Sequence, residues 1–253
     1  MKLNKLFVAT TILATSSMAS ADVVGVYASA QKWNYDIDGY VSSGSGNIDF
    51  NDDLGYDDND NNSYFVALEH PVPVLPNIKI QQNHLEGNAV GTASKDITFN
   101  TRTFPEGMDI VSSYDFSNTD YTLYYEILDN WVNLDLGITG KDFDGYVLME
   151  YPPGIGSIPN NGRVNFKGIV PMLYGKAQFD LPLTGFNVGT TMNIGQTTDD
   201  KINDYTMYFG YEGETGFGFE VGYRNFTVEF DDFDDLSTDF TFDGYYASLN
   251  FHF

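Results

Sequence analysis

The C-terminal stretch, residues 242–253, constrains the fold of this chain more than any other. Counting back from the end in twos gives Phe253, Phe251, Leu249, Ala247 and Tyr245, and the set between them is His252, Asn250, Ser248 and Tyr246. This is the two-residue period of a strand with one apolar and one polar face. A soluble sheet rarely leaves so apolar a strand unguarded at its edge. Lipid suits that face, but a strand crosses lipid only inside a closed barrel, where every backbone donor and acceptor finds a partner within the protein.

The other end of the chain agrees. Lys2 and Lys5 precede an apolar run over residues 6–14, and Ala19-Ser20-Ala21 is the small-x-small pattern that signal peptidase cleaves, so residues 1–21 are expected to be a secretory signal peptide and residues 22–253 one domain. The apolar run is far shorter than the roughly 20 residues that span a bilayer as a helix, and no later stretch is long enough either. The terminal Phe with its alternating neighbours resembles the closing strand of bacterial outer-membrane β-barrel proteins. That resemblance implies that Tyr245, Leu249, Phe251 and Phe253 form the signal read by the β-barrel assembly machinery. It also implies outer-membrane lipid and lipopolysaccharide as surroundings, and the cell outer membrane as location.

Composition narrows the class. The chain carries 12 Lys+Arg against 36 Asp+Glu, a net charge of -24, which makes nucleic acid and anionic lipid surfaces poor partners. Aromatics make up 16% of residues, an excess that suits the two aromatic girdles of a membrane barrel. Cysteine is absent, so disulfides, thiol chemistry and Cys-ligated metals are excluded.

Read in order, the chain gives strands joined by alternately long and short connections. Residues 23–35 alternate as a first strand, and residues 36–62, rich in Asp and Gly, read as an exposed outer loop. Residues 64–70 and 77–85 flank a turn, residues 71–76, too rich in Pro to pair. The stretch Ala67-Leu68-Glu69-His70-Pro71 through Leu75-Pro76-Asn77 resembles a turn of a small, functionally uncharacterised family of outer-membrane barrels from marine and related proteobacteria, a likeness that implies a fold and a location but no activity. A polar loop is expected over residues 87–113. The clearest hairpin follows, residues 121–128 and 131–139, with Leu123, Tyr125, Leu136 and Ile138 on one face and Glu126, Asn133 and Asp135 on the other. Residues 165–181 form a strand whose period falters near Gly168 and Pro171, which points to a bulge. Strands over residues 186–194, 205–212, 217–224 and the closing strand complete about ten, an even number. The expected fold is an all-β, antiparallel up-and-down transmembrane barrel with long outer loops and short periplasmic turns. Twelve strands would need a further hairpin between Asn88 and Ser113.

The same alternation assigns the lumen. Inward charge candidates are Glu69, Lys79, Glu126, Asp135, Lys176, Glu212, Glu220 and Arg224, a mixture of both signs. A barrel of this size is close to filled by its own side chains. Each basic group is expected to find a carboxylate, Arg224 choosing Glu220 or Glu212, because an unpaired charge in a dry interior is costly.

Ten strands is also the size of the omptin family, outer-membrane proteases with acidic residues and a His at the outer rim. His70 lies at the Pro-rich turn and His252 at the end of the chain. Only His84 can reach an outer site, and no G-x-S-x-G, H-E-x-x-H or phosphate-binding Gly loop occurs. No enzymatic activity and no cofactor are therefore expected. Asp58, Asp60, Asn62 and Glu69 match EF-hand positions 1, 3, 5 and 12, but Ser63 replaces the required Gly and the following residues read as strand. At most, divalent cations associate loosely with the acidic loops. The expected role is structural or surface interaction, with a narrow cation-preferring channel as the alternative.

Overall fold

Strand follows strand along the chain, and the longest are long enough to do more than cross a membrane. The computed structural model describes residues 24–43, 46–72, 74–154, 162–197 and 200–253, so the expected signal peptide lies outside the described residues. The elements are β1 (Gly25–Ser42), β2 (Ile48–Asp49), β3 (Asn59–Glu69), β4 (Asn77–Asn83), β5 (Glu86–Thr92), β6 (Ile97–Phe99), β7 (Arg102–Phe104), β8 (Asp109–Asp115), β9 (Asn118–Leu128), β10 (Val132–Glu150), β11 (Gly162–Asp180), β12 (Phe186–Gln196), β13 (Lys201–Glu212), β14 (Phe217–Phe233) and β15 (Leu236–His252). No described residue is helical.

Ten of these, β1, β3, β4 and β9 through β15, pair antiparallel in that order, and β15 returns to β1. The barrel is therefore closed, as the alternation predicts. Its seam runs from Tyr27 opposite His252 to Ser42 opposite Ser237. Val26 and Phe253 finish it with a reciprocal pair of backbone hydrogen bonds, each 2.9 Å. The remaining strands lie beyond the ring. The β5–β8 hairpin, together with the small β6–β7 ribbon, occupies the stretch expected to be a polar loop, and β8 hydrogen-bonds to the upper end of β10 without entering the barrel. β2 pairs with the upper end of β1.

The governing feature is an inversion of the side-chain pattern partway up the wall. Near the short turns the outward residues are apolar: Val66 and Leu68 on β3, Leu136 and Ile138 on β10, Met207 and Phe209 on β13, and Tyr245 and Leu249 on β15 are all exposed. Higher on the same strands the outward residues become polar. On β1 they are Lys32, Asn34, Asp36 and Asp38, on β11 Arg163, Asn165 and Lys167, and on β15 Asp239, Thr241 and Asp243. The inward residues change the opposite way, to Trp33, Tyr35 and Ile37 on β1, Phe166 and Val170 on β11, and Phe240 and Phe242 on β15, all buried. Lipid outside demands apolar side chains outside, and water outside demands them inside, so the inversion is the pattern expected of a wall that passes from one medium to the other. The five longest strands have 17 to 19 residues. At roughly 3.3 Å per residue the longest are about 60 Å, well beyond a hydrocarbon core of about 30 Å even when tilted.

This explains where the expected loops differ. β1 and β3 run seven and four residues into the stretch read as loop, residues 36–62. Within what remains, Phe50, Leu54 and Tyr56 turn back and are buried in the upper core. Phe50 donates its backbone N–H to Gly39 O at 3.0 Å, and Gly39, at φ +119, is a residue whose Cβ would stand 2.1 Å from Asp239 O. The bulge expected near Gly168 and Pro171 is absent, and β11 keeps register with β10 throughout. The β11–β12 ladder ends at Leu173 opposite Ile194, so the donor that Pro171 lacks is not needed on that side. The irregularity in this region instead falls beside Leu134 and Asp135, against β9.

Leu136→Arg, on the exposed lower belt, is expected to cost about 2–4 kcal/mol, while Asp135→Asn, whose side chain is 4% exposed and 3.8 Å from Lys176 Nζ, should cost less. Urea titrations in lipid vesicles read both. Equal costs would mean that the belt does not face lipid.

Candidate functional site

The lumen falls into three layers. The lowest is a cavity of about 650 Å³, lined from the turn residues Asp129, Pro182 and Glu214 upward by Tyr27, Phe65, Lys79, Tyr124, Tyr174, Lys176, Tyr208 and Glu220. A smaller space of about 70 Å³ continues above it between Gln81, Thr191, Asn193 and Tyr246, reaching Asp204 and Arg224.

There the second layer begins. Arg224 donates from Nε and Nη2 to the two oxygens of Asp204, at 2.8 and 2.7 Å, and from Nη1 to Asn83 Oδ1 at 3.1 Å. Lys141 Nζ lies 2.9 and 3.0 Å from the oxygens of Asp120, 3.1 Å from Asn118 Oδ1 and 3.4 Å from Asp204. Asn83 ties the two halves by donating to Asn118 at 2.9 Å. Two cations thus meet two carboxylates, all fully buried, and the bidentate geometry is the strong form of such a pair. Trp33 stacks its ring 4.7 Å from the Arg224 guanidinium, and Phe226 lies 5.0 Å from Lys141 Nζ. Directly above is the third layer, the apolar core of the outer half. Its centre is a set of rings in contact: Phe116 with Phe240 at 4.6 Å and Phe166 at 4.8 Å, and Tyr35 with Phe242 at 5.2 Å.

Two expectations about the lumen charges need correction. Arg224 pairs with Asp204, not with Glu220 or Glu212. Glu220 instead accepts from Tyr246 Oη at 2.5 Å, and Glu212 lies 3.2 Å from His252 Nδ1. Arg224 sits at the level of the polar layer, and β13 delivers Asp204 to that height while Glu220 and Glu212 stand lower. Lys79 does not find a carboxylate either: it makes no hydrogen bond or ion pair among the described residues, and its Nζ rests 4.4 Å from the centre of the Phe65 ring. The nearby carboxylates are turned to neutral donors, each through one of its two oxygens, Glu69 to Tyr124 Oη at 2.7 Å and Glu126 to Asn77 at 2.9 Å. Lys176 faces Asp135 at 3.8 Å, as a loose pair. The polar layer itself, Asn83, Asn118, Asp120, Lys141 and Asp204, went unnoticed in the sequence, although continuing the strand alternation past residue 139, or starting it before residues 121 and 205, would have placed most of it inward.

Outside the upper wall, Asp36 stands directly opposite Asp243 across the β1–β15 ladder. A hydrogen bond with Asp58, some loss of hydration and the charges of Asp58, Asp243 and Asp38 push the Asp36 carboxyl up to about 6. The folded chain therefore holds this proton more tightly than the unfolded chain. The repulsion is fully present above pH 6 and is relieved as pH falls from about 6 toward the ordinary carboxylate range. Asp36→Asn is expected to raise the thermal midpoint at pH 7 and to leave it unchanged at pH 4, and added salt should shrink the gain because the group is exposed. A gain at both pH values would disprove the shared-proton arrangement. His84, the one histidine that could reach an outer site, faces outward against Tyr64, with ring centres 6.3 Å apart, and the EF-hand-like spacing falls largely on the extended strand β3.

A closed ten-stranded antiparallel barrel with an apolar lower belt is the architecture of outer-membrane β-barrel proteins. No protein-family model and no curated protein sequence matches the chain, but solved structures do. The outer-membrane protease OmpT of Escherichia coli superposes with a TM-score of 0.50 at 11% identity, covering 95% of this chain and 100% of that one. Also similar are the Pseudomonas putida toluene transporter TodX, at 12% identity, 92% and 91% coverage and TM-score 0.32, and Ail, the attachment invasion locus protein of Yersinia pestis, at 7% identity, 91% and 100% coverage and TM-score 0.33. The match to OmpT overturns the expectation that the chain is not an enzyme. The fold it shares from end to end with that neighbour is, there, the fold of a protease, so the absence of familiar catalytic motifs does not set this chain apart from enzymes. What the likeness brings is the fold, not the activity.

Proposed function

We propose that the chain is an integral outer-membrane protein that stands in the membrane by its lower half and carries its upper half into external water as a solid, acidic platform for surface interaction. The inversion of the side-chain pattern carries this reading. A lipid-facing barrel that only conducts or only anchors has no use for a water-facing extension with its own aromatic core, whereas a platform needs the rigidity such a core supplies. The neutral polar layer and the rings above it also leave a solute no route across the outer half, which disfavours the channel alternative. Membership of the small marine proteobacterial family belongs to the same proposal and rests on the turn at residues 67–77.

Two measurements test it. With no native cysteine, single-cysteine variants report exposure cleanly: Asp144→Cys, on the outer face of upper β10, should react on intact cells with a maleimide that cannot cross membranes, and Ile138→Cys should not. Reconstituted protein should pass no steady current in planar bilayers. A shielded position 144, or open-channel currents of porin size, would defeat the reading.

A further inference from the structure

The lower cavity has a charge arrangement that the platform reading does not use. Its mouth, at the short-turn rim, carries Glu69, Glu126, Asp129, Asp180, Glu212 and Glu214. Deeper in, the ammonium group of Lys79 reaches the space with only the face of Phe65 against it. The inner end is blind, closed by the neutral Asp204–Arg224–Lys141–Asp120 layer. The volume of about 650 Å³ lies in the range of roughly 300–1,000 Å³ typical of small-molecule sites, and Tyr27, Tyr124 and Tyr208 supply walls that are apolar in body and polar at the tip.

These features select a ligand by its charge pattern. An acidic mouth concentrates cations and repels simple anions. A simple cation that went deeper would meet the unpaired ammonium of Lys79 and, beside it, the loosely held ammonium of Lys176. A dipolar solute satisfies both ends at once. We infer that the cavity is a binding site for a small zwitterion of the amino-acid or short-peptide class, its carboxylate seated on Lys79 and its cationic end held by the carboxylates of the mouth, Glu69 and Glu126 first among them. Because the inner end is closed, the ligand enters and leaves by the same mouth, so the site retains a solute and does not pass it on.

The probe is the dipeptide Ala-Lys, titrated calorimetrically into the full-length folded protein in lipid nanodiscs beside the same dipeptide with its C-terminus amidated. The free acid should bind saturably, and the amide about tenfold or more weaker, the loss expected when a charged hydrogen bond is removed from a confined site. Lys79→Gln should abolish the preference for the acid and Lys79→Arg should keep it, while Glu69→Gln with Glu126→Gln should weaken acid and amide alike. Heat-modifiable gel migration identifies variants that still fold, and the wild-type comparison of acid with amide stands without them. Absence of saturable binding in the millimolar range, which would mean a cavity holding water only, overturns the proposal, as does equal binding of acid and amide by the wild type.

Discussion

Arg224→Met is expected to destabilise the barrel by about 3–5 kcal/mol, the cost of removing one partner from a buried ion pair, seen as a large fall in the urea midpoint in lipid vesicles. The loss comes less from the missing contacts than from what remains: Asp204, fully enclosed, would keep its charge with Lys141 at 3.4 Å as its remaining cationic partner among the described residues. Arg224→Met combined with Asp204→Asn should therefore recover part of the loss, and a double-mutant cycle measures that coupling. Single substitutions that prove additive would show that the pair is not a unit. Removing Arg224 opens no path for a solute, because Phe226 and Phe242 lie directly above it with ring centres 6.0 Å apart, and conductance should stay at baseline in the variant.

Phe240→Ala should cost a similar amount, about 3–5 kcal/mol, by emptying a large volume in a core that cannot collapse around it. Phe240 is 1% exposed and packs against Phe116 at 4.6 Å, Phe242 at 5.0 Å and Phe50 at 5.6 Å, bringing together rings from β15, the segment after β8 and the segment after β2. Its environment is protein on all sides, so its cost should be the same in vesicles of thin and thick lipids, while that of Leu136→Arg should vary with bilayer thickness. A cost for Phe240→Ala that tracks lipid thickness would place the aromatic core inside the membrane and remove the basis for a water-facing upper half.

The lower half of the barrel was legible in the sequence because one medium imposes one rule there. Tyr245 to Phe253, Leu123 to Ile127 and Phe186 to Ile194 each hold a single alternation from end to end, and the closed ring of ten strands follows from it. The upper half was not legible for the same reason. The strands expected from the alternation stop at residue 35, at residue 139 and, going down the chain, at residue 205, close to where the pattern inverts, whereas β1, β10 and β13 continue past these points. The segment holding Phe50, Leu54 and Tyr56 was read as exposed from its aspartates, yet those three residues alone are enough to fold it inward. The partner of Arg224 is not legible in the alternation because Asp204 lies just outside the expected strand over residues 205–212, whereas Glu212 and Glu220 lie inside expected strands. That Lys79 lacks a partner could not be read from alternation at all: it depends on the Tyr and Asn side chains that engage Glu69, Glu126 and Glu220.

The strands that cross the belt are the same covalent strands that wall the upper core, and this has a mechanical consequence. A domain carried on a linker swings, and a partner meets it at any angle. Here β1, β10, β11, β14 and β15 pass from one half to the other without a break, so tilting the top against the bottom would require shearing several hydrogen-bonded ladders together. With the lower belt seated in a bilayer, as proposed, the upper surface is fixed at one height and one inclination to the bilayer plane, and a partner docking there would inherit its orientation from the membrane.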